Sequence, residues 1–149
     1  MKTKTLSFDV LGVPKPYVRA RIANGGVKMD RATEHWKWQI RDAAAEAIGR
    51  STWPRLCKSA VTVSLEFVGV VRAARAKRPA EPHIIRPDLD NLTKPVLDAM
   101  KLAGVYRDDC VIVKLEASKR WQRGGERFAG VKVWVGTETV SRRNDSEEE

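Results

Sequence analysis

The apolar residues of this chain switch repeatedly between a period of two and a period near 3.6, and that switching constrains the fold more than any other feature. Over 4–11, Leu6, Phe8 and Val10 alternate with Thr5, Ser7 and Asp9, the pattern of a half-buried strand. The alternation stops at Pro14-Lys15-Pro16, where two prolines prevent ladder pairing. From Arg31 to Gly49, Trp36, Ile40, Ala43, Ala44, Ala47 and Ile48 recur at helical spacing and predict an amphipathic helix. Residues 60–71 return to alternation through Val61, Val63, Leu65 and Phe67, and a basic loop is expected to follow over 72–79. A second helix is expected over 91–103, with Leu92, Val96, Ala99, Met100 and Ala103 inward and Gly104 ending it. Pro95 suits a first turn, so this helix is expected to begin within Asn91–Thr93. Val111, Val113 and Leu115 then predict a third strand, and Val131, Val133 and Val135 a fourth. These two are expected to form an antiparallel hairpin across a long basic connection containing Lys119, Arg120, Arg123 and the Gly124-Gly125 turn. The sum is one α+β (mixed α/β) domain of order β-α-β-α-β-β over 1–140. An acidic tail, 141–149, has no apolar content and is expected to be disordered.

Charge narrows the partner. Four of the nineteen acids, Asp145, Glu147, Glu148 and Glu149, fall in the last five residues. Residues 1–144 therefore set twenty-eight basic side chains against fifteen acidic ones, a surplus of +13. On a domain of this size such a surplus points to a polyanion, most simply nucleic acid. No run is apolar enough for a signal peptide or a membrane span, so a cytoplasmic protein with no membrane partner is expected. Cys57 and Cys110 show no metal-ligand spacing, and His35 and His83 are the only histidines, which leaves little for a zinc site or a histidine-centred nuclease.

The stretch Arg86-Pro87-Asp88-Leu89-Asp90-Asn91-Leu92-Thr93-Lys94, with Asp108-Asp109 opening the next strand, carries the chemistry. If 84–90 is extended, Asp88 and Asp90 project to one side with Cα atoms roughly 7 Å apart. Lys94 follows Asp90 by four residues, one helical turn, on the face opposite Leu92, Val96 and Met100. Asp109 would join from the head of the following strand. Clustered carboxylates suit Mg²⁺, or Mn²⁺ in its place, hard cations that bind through a few acids and substrate phosphate. Such ions activate water and stabilise the leaving oxygen in phosphodiester hydrolysis, while Lys94 would neutralise charge in the transition state.

Plainer roles stand beside these. Asp88 and Asp90 also read as helix-capping residues, Lys94 as a solvated ion-pair partner, and Asp108-Asp109 as turn residues. A calcium loop starting at Asp88 fails, because Leu92, Thr93 and Ala99 stand where an oxygen ligand, glycine and glutamate are required. No phosphate-cradling Gly-x-x-x-x-Gly-Lys loop occurs. Tyr17, between Lys15 and Arg19, and Trp121, beside Arg120 and Arg123, are candidates for stacking on bases, Trp121 alternatively on a dimer mate.

The run Asp88-Leu89-Asp90-Asn91-Leu92-x-Lys94, then Leu97-Asp98-Ala99, Gly104 and Asp108-Asp109, closely resembles the RusA family of Holliday junction resolvases of bacteria and their prophages. The resemblance is dense over 86–112. It implies a small α/β domain acting as a homodimer, with Mg²⁺-dependent symmetric nicking of four-way DNA junctions. By position it implies Asp88, Asp90 and Asp109 as metal-binding acids and Lys94 as the catalytic lysine. Arg86, Arg19 and Arg21 would lie on the family's basic surface, with Lys15 and Tyr17 beside them as DNA contacts. Pro95, directly after the lysine, and the acidic tail depart from that pattern. The expected function is a junction-resolving endodeoxyribonuclease in DNA recombination and repair or phage DNA processing. Two alternatives remain: a non-catalytic basic DNA-binding module, and a metal-dependent nuclease for flaps or single strands.

Overall fold

The computed structural model describes residues 3–70 and 82–138. The expected basic loop at 72–79 and the expected acidic tail at 141–149 lie outside the described residues. Strand β1 (Thr5–Leu11) is followed by a short hairpin, β2 (Arg21–Ala23) and β3 (Gly26–Lys28). Helix α1 (Arg31–Gly49), strand β4 (Val61–Gly69), helix α2 (Leu89–Ala103), a 3₁₀ turn (Asp109–Val111) and strands β5 (Ile112–Trp121) and β6 (Gly130–Thr137) complete the order. The mixed α+β architecture expected from the periodicity is the one observed. No helix among the described residues is long and apolar enough to cross a membrane.

The four longer strands form one sheet in the order β1-β6-β4-β5. In register, Leu6, Phe8 and Val10 oppose Val135, Val133 and Val131, which in turn oppose Val63, Leu65 and Phe67. This apolar layer lies under both helices, and it joins Trp36, Ile40, Ala44 and Ile48 of α1 and Leu92, Val96, Ala99 and Met100 of α2 in one core. The other face of the sheet carries Ser7, Ser64, Glu66, Lys132 and Trp134, so burial is one-sided, as alternation requires.

The expected hairpin between the last two strands is not formed. Strand β5 pairs parallel with β4 at the edge of the sheet, while β6 inserts antiparallel between β1 and β4. The physical reason lies in burial: Val131, Val133 and Val135 are all but completely enclosed, which demands a central strand, whereas Val113 and Leu115 remain substantially exposed. A register irregularity against Val61/Thr62 also breaks the phase of β5, so the Val111-Val113-Leu115 alternation does not continue as one inward row. The connection is less basic than its composition suggests. Arg120 donates to both carboxylate oxygens of Glu126, at 2.6 and 2.8 Å, and to Glu66 at 3.3 Å. Trp121 stacks on buried His83, with ring centroids 3.8 Å apart and planes at 6°, instead of standing free for a base.

Gly130 opens β6 with φ of +148°, and a Cβ there would drive into the carbonyl of Val10. Neither the backbone of β1 nor the register can yield without unpairing strands. Gly130→Ala is expected to cost about 3 kcal/mol or more in urea unfolding. The Arg120 guanidinium, and then the Arg123 amide, hold the Glu126 carboxyl down at about 2, against an ordinary 4.5. A depressed folded-state value stabilises fully above the unfolded value and fades as protons bind. The stability advantage of wild type over Glu126→Gln is therefore expected to be constant above about pH 4.5 and to shrink toward about pH 2, measured by denaturant titration across that range.

Candidate active site

Helix α2 begins two residues earlier than its apolar stripe predicts. Asp88 is the N-cap, Leu89 the first helical residue, and the Leu92 amide closes the first turn on the Asp88 carbonyl at 3.0 Å. Asp90 therefore sits in the first turn of a helix and not on an extended segment, which corrects the alternation that put Asp88 and Asp90 on one side. Although Asp88 occupies the capping position, its side chain makes no capping hydrogen bond, which leaves its carboxylate exposed and uncommitted. An acid in the first turn is favoured there by the helix dipole whatever else it does.

Pro95 lies inside α2, past the first turn. Proline has no amide hydrogen to give the carbonyl four residues back, here Asn91. That carbonyl instead accepts the Tyr17 amide at 2.7 Å, which ties the segment between β1 and β2 to α2. The Thr33 hydroxyl fastens the same segment to α1 by donating to the Pro16 carbonyl at 3.0 Å. Tyr17, 77 positions upstream in sequence from Lys94, is thereby brought beside it, with the Lys94 ammonium 5.3 Å from the ring centroid.

Between α2 and the edge strand β5 lies an open cavity of about 540 Å³. Leu89, Asp90, Thr93, Lys94, Leu97 and Asp98 line it from the helix, Asp109 from the 3₁₀ turn, and Leu115 and Ala117 from the strand. Three of the expected residues, Asp90, Lys94 and Asp109, thus meet at one cavity; Asp88 stands at its approach and does not line it. Asp98 is the residue that sequence reasoning left without a role. Its signal was available, since Asp90, Lys94 and Asp98 follow one another at intervals of four, a single helical face. Lys94 pairs with Asp98 at 3.7 Å. Beneath them, buried Tyr106 donates its hydroxyl to the Leu97 carbonyl at 2.7 Å, and its ionisation is pushed up by burial and then by the Asp109 and Asp98 charges.

Asp108 and Asp109 separate in role. The Asp108 carboxyl is held below its usual range, first by a hydrogen bond with the Asp109 side chain and then by the Lys101 ammonium, 3.5 Å away at the end of α2. Asp108 is thus tied back to the helix while its neighbour lines the cavity. At the other end, Lys119 of β5 donates to the carbonyls of Ile85 and Pro87, at 2.8 and 3.0 Å. It straddles Arg86, whose peptide bond to Pro87 is cis, and fixes the approach to Asp88. Arg86 and Arg19 are exposed, Lys15 is half-buried, and Arg21 lies in β2 with its side chain outside the described residues.

The donors around the cavity are oxygen atoms, with no histidine or cysteine among them, which suits a hard cation. Among the described residues, no group of three or more His, Cys, Asp or Glu is gathered closely enough to hold a metal by itself. Asp90 and Asp98 are two turns apart, about 12 Å along the axis. A cation seated here would need water and substrate phosphate to complete its shell, the habit of magnesium in phosphoryl-transfer sites.

Carboxylates and an ammonium facing an open groove, on a domain with a basic surplus, define an enzyme that works on the phosphodiesters of nucleic acid. Residues 11–134 match the family model described as Endodeoxyribonuclease RusA, and the chain belongs to that family. The family comprises Holliday junction resolvases, metal-dependent in general, which hydrolyse phosphodiester bonds in branched DNA. No curated protein sequence matches the chain.

The Lys119 clamp has a measurable consequence. Lys119→Met keeps the stem and removes the donors, so amide exchange over 84–88 is expected to rise about tenfold, while exchange in β4 and β6 stays within about twofold of wild type, read by hydrogen–deuterium exchange.

Proposed function

We propose that this chain is a Mg²⁺-dependent endodeoxyribonuclease that resolves four-way DNA junctions as a homodimer by paired symmetric nicks. The observation that carries this reading is the meeting of Asp90, Lys94 and Asp109, from a helix and a separate 3₁₀ turn, at one cavity beside an edge strand. Asp88, Asp90 and Asp109 are assigned as metal-binding acids, with Asp98 as a further carboxylate at the same groove. Bound there, the metal supplies a water activated as nucleophile and charge stabilisation for the leaving oxygen. Lys94 places a fixed positive charge against the phosphate as negative charge builds on its oxygens. Arg86, Arg19, Arg21 and Lys15 line the approach of the DNA backbone, where cations fix register without reading sequence. A two-fold dimer presents two such sites to a junction that is itself near two-fold, which makes paired cuts natural. The substrate assigns the activity to recombination and repair, or to phage DNA processing, in a bacterial cytoplasm.

Purified protein incubated with labelled four-way junctions, flaps, duplexes and single strands, in Mg²⁺ or EDTA, tests the reading. Paired nicks on the junction alone, lost in EDTA, are expected. Salt-sensitive binding without product would identify a DNA-binding module instead, and cleavage of flaps or single strands a different nuclease. Asp90→Asn is expected to lower junction nicking by about a hundredfold or more, with junction affinity equal to or above wild type because a negative charge facing phosphate is gone. Nicking by the variant at the wild-type rate would remove Asp90 from the mechanism.

A further inference from the structure

We infer that Tyr17 is a positioning residue for Lys94: its ring holds the ammonium over the cavity, and Pro95 is what allows the ring to be there. The inference rests on the nuclease reading only for its kinetic consequence. A lysine ammonium on a four-carbon stem samples many rotamers, and half of the Lys94 side chain is exposed, at 53%. Two groups restrict it. Asp98 lies 3.7 Å away along the helix, and the Tyr17 ring lies 5.3 Å away from a different part of the chain. The two act differently. A carboxylate neutralises the ammonium and competes with phosphate for its protons, whereas an aromatic face attracts the cation and leaves its donors free.

The placement of Tyr17 owes nothing to its hydroxyl, which makes no hydrogen bond among the described residues. It comes from the backbone. The Tyr17 amide donates to the Asn91 carbonyl, three residues before Lys94, and that carbonyl is available because Pro95 cannot use it. The Thr33 hydroxyl holds the preceding residue, Pro16, against α1. Ring and ammonium are therefore referenced to the same turn of α2, so the pair keeps its geometry if the basic segment around Lys15 and Arg19 shifts on binding DNA. The proline that departs from the family resemblance thus has a role in this chain.

The test compares wild type with Tyr17→Phe, which keeps the ring, and Tyr17→Leu, which keeps apolar bulk without a π-face. Proton and carbon NMR of the Lys94 ε-methylene in the free protein reads the contact directly, through ring-current shielding. Shielding is expected in wild type and Tyr17→Phe and lost in Tyr17→Leu. Single-turnover nicking of a four-way junction at saturating protein is expected to slow about tenfold in Tyr17→Leu and to stay within about threefold of wild type in Tyr17→Phe, with junction affinity changed less than about twofold in either. Identical Lys94 signals in wild type and Tyr17→Leu would overturn the inference. So would weakened junction affinity with an unchanged saturating rate, which makes Tyr17 a DNA contact, or equal slowing by Phe and Leu. If wild type nicks no DNA, the nuclease reading fails while the NMR comparison still decides whether Tyr17 holds Lys94.

Discussion

Parallel pairing of β4 with β5 is the constraint on which the rest of this molecule depends. Two parallel neighbours cannot be joined by a tight turn, so the chain must cross over the sheet between them, and α2 is that crossover. The helix has to bury one face, and it does so in the core it shares with α1 and the sheet. Its opposite face, carrying Asp90, Lys94 and Asp98, is then left beside the edge strand, where only Leu115 and Ala117 reach up to meet it. The cavity is thus a by-product of pairing: a crossover helix packed beside α1 returns to the edge strand and leaves a trough between the two. Asp109 enters the trough because the crossover must return to the start of β5 through a tight turn.

A second dependence runs through the backbone of α2. An interior proline ordinarily costs a helix hydrogen bond, and the carbonyl it strands must find a donor or water. Here the donor comes from the segment between β1 and β2, so a defect in one element becomes the attachment point of another. Lys119 acts similarly from β5, supplying its ammonium hydrogens to loop carbonyls that no strand or helix satisfies. Both ends of the acidic motif are therefore held by groups that lie far from it in sequence.

Elements whose signal is local were legible in the sequence. The span of α1 is one of these, because its apolar stripe runs nearly its full length and Asp30 caps it through the Thr33 amide. The strand expected over 60–71 is equally plain and forms over Val61–Gly69. What failed was non-local or conformational. Alternation reveals a strand but not its neighbour, so β5 and β6 were joined by proximity in sequence when burial had separated them. The start of α2 lies earlier than Pro95 implies, because the carbonyl that an interior proline strands finds its donor outside the helix. The β2–β3 hairpin leaves no mark in the periodicity, since three-residue strands offer too little pattern to register. Trp121 and Arg120 looked available for DNA because His83, Glu66 and Glu126, which engage them, are invisible until the chain is folded.

The engagement of Arg120 bears on how the basic surplus is to be understood. Arg120, Lys101 and Lys114 are each within ion-pair distance of an acid of the same domain, and Lys119 is turned onto backbone carbonyls. Those charges sit in their own small counterion clouds of protein origin and displace few salt ions from a nucleic acid. Arg19, Lys28 and Arg86 have no such partner among the described residues. The electrostatic footprint of the domain is consequently smaller than a tally of lysine and arginine suggests. Sensitivity of DNA affinity to ionic strength reports that footprint, not the composition.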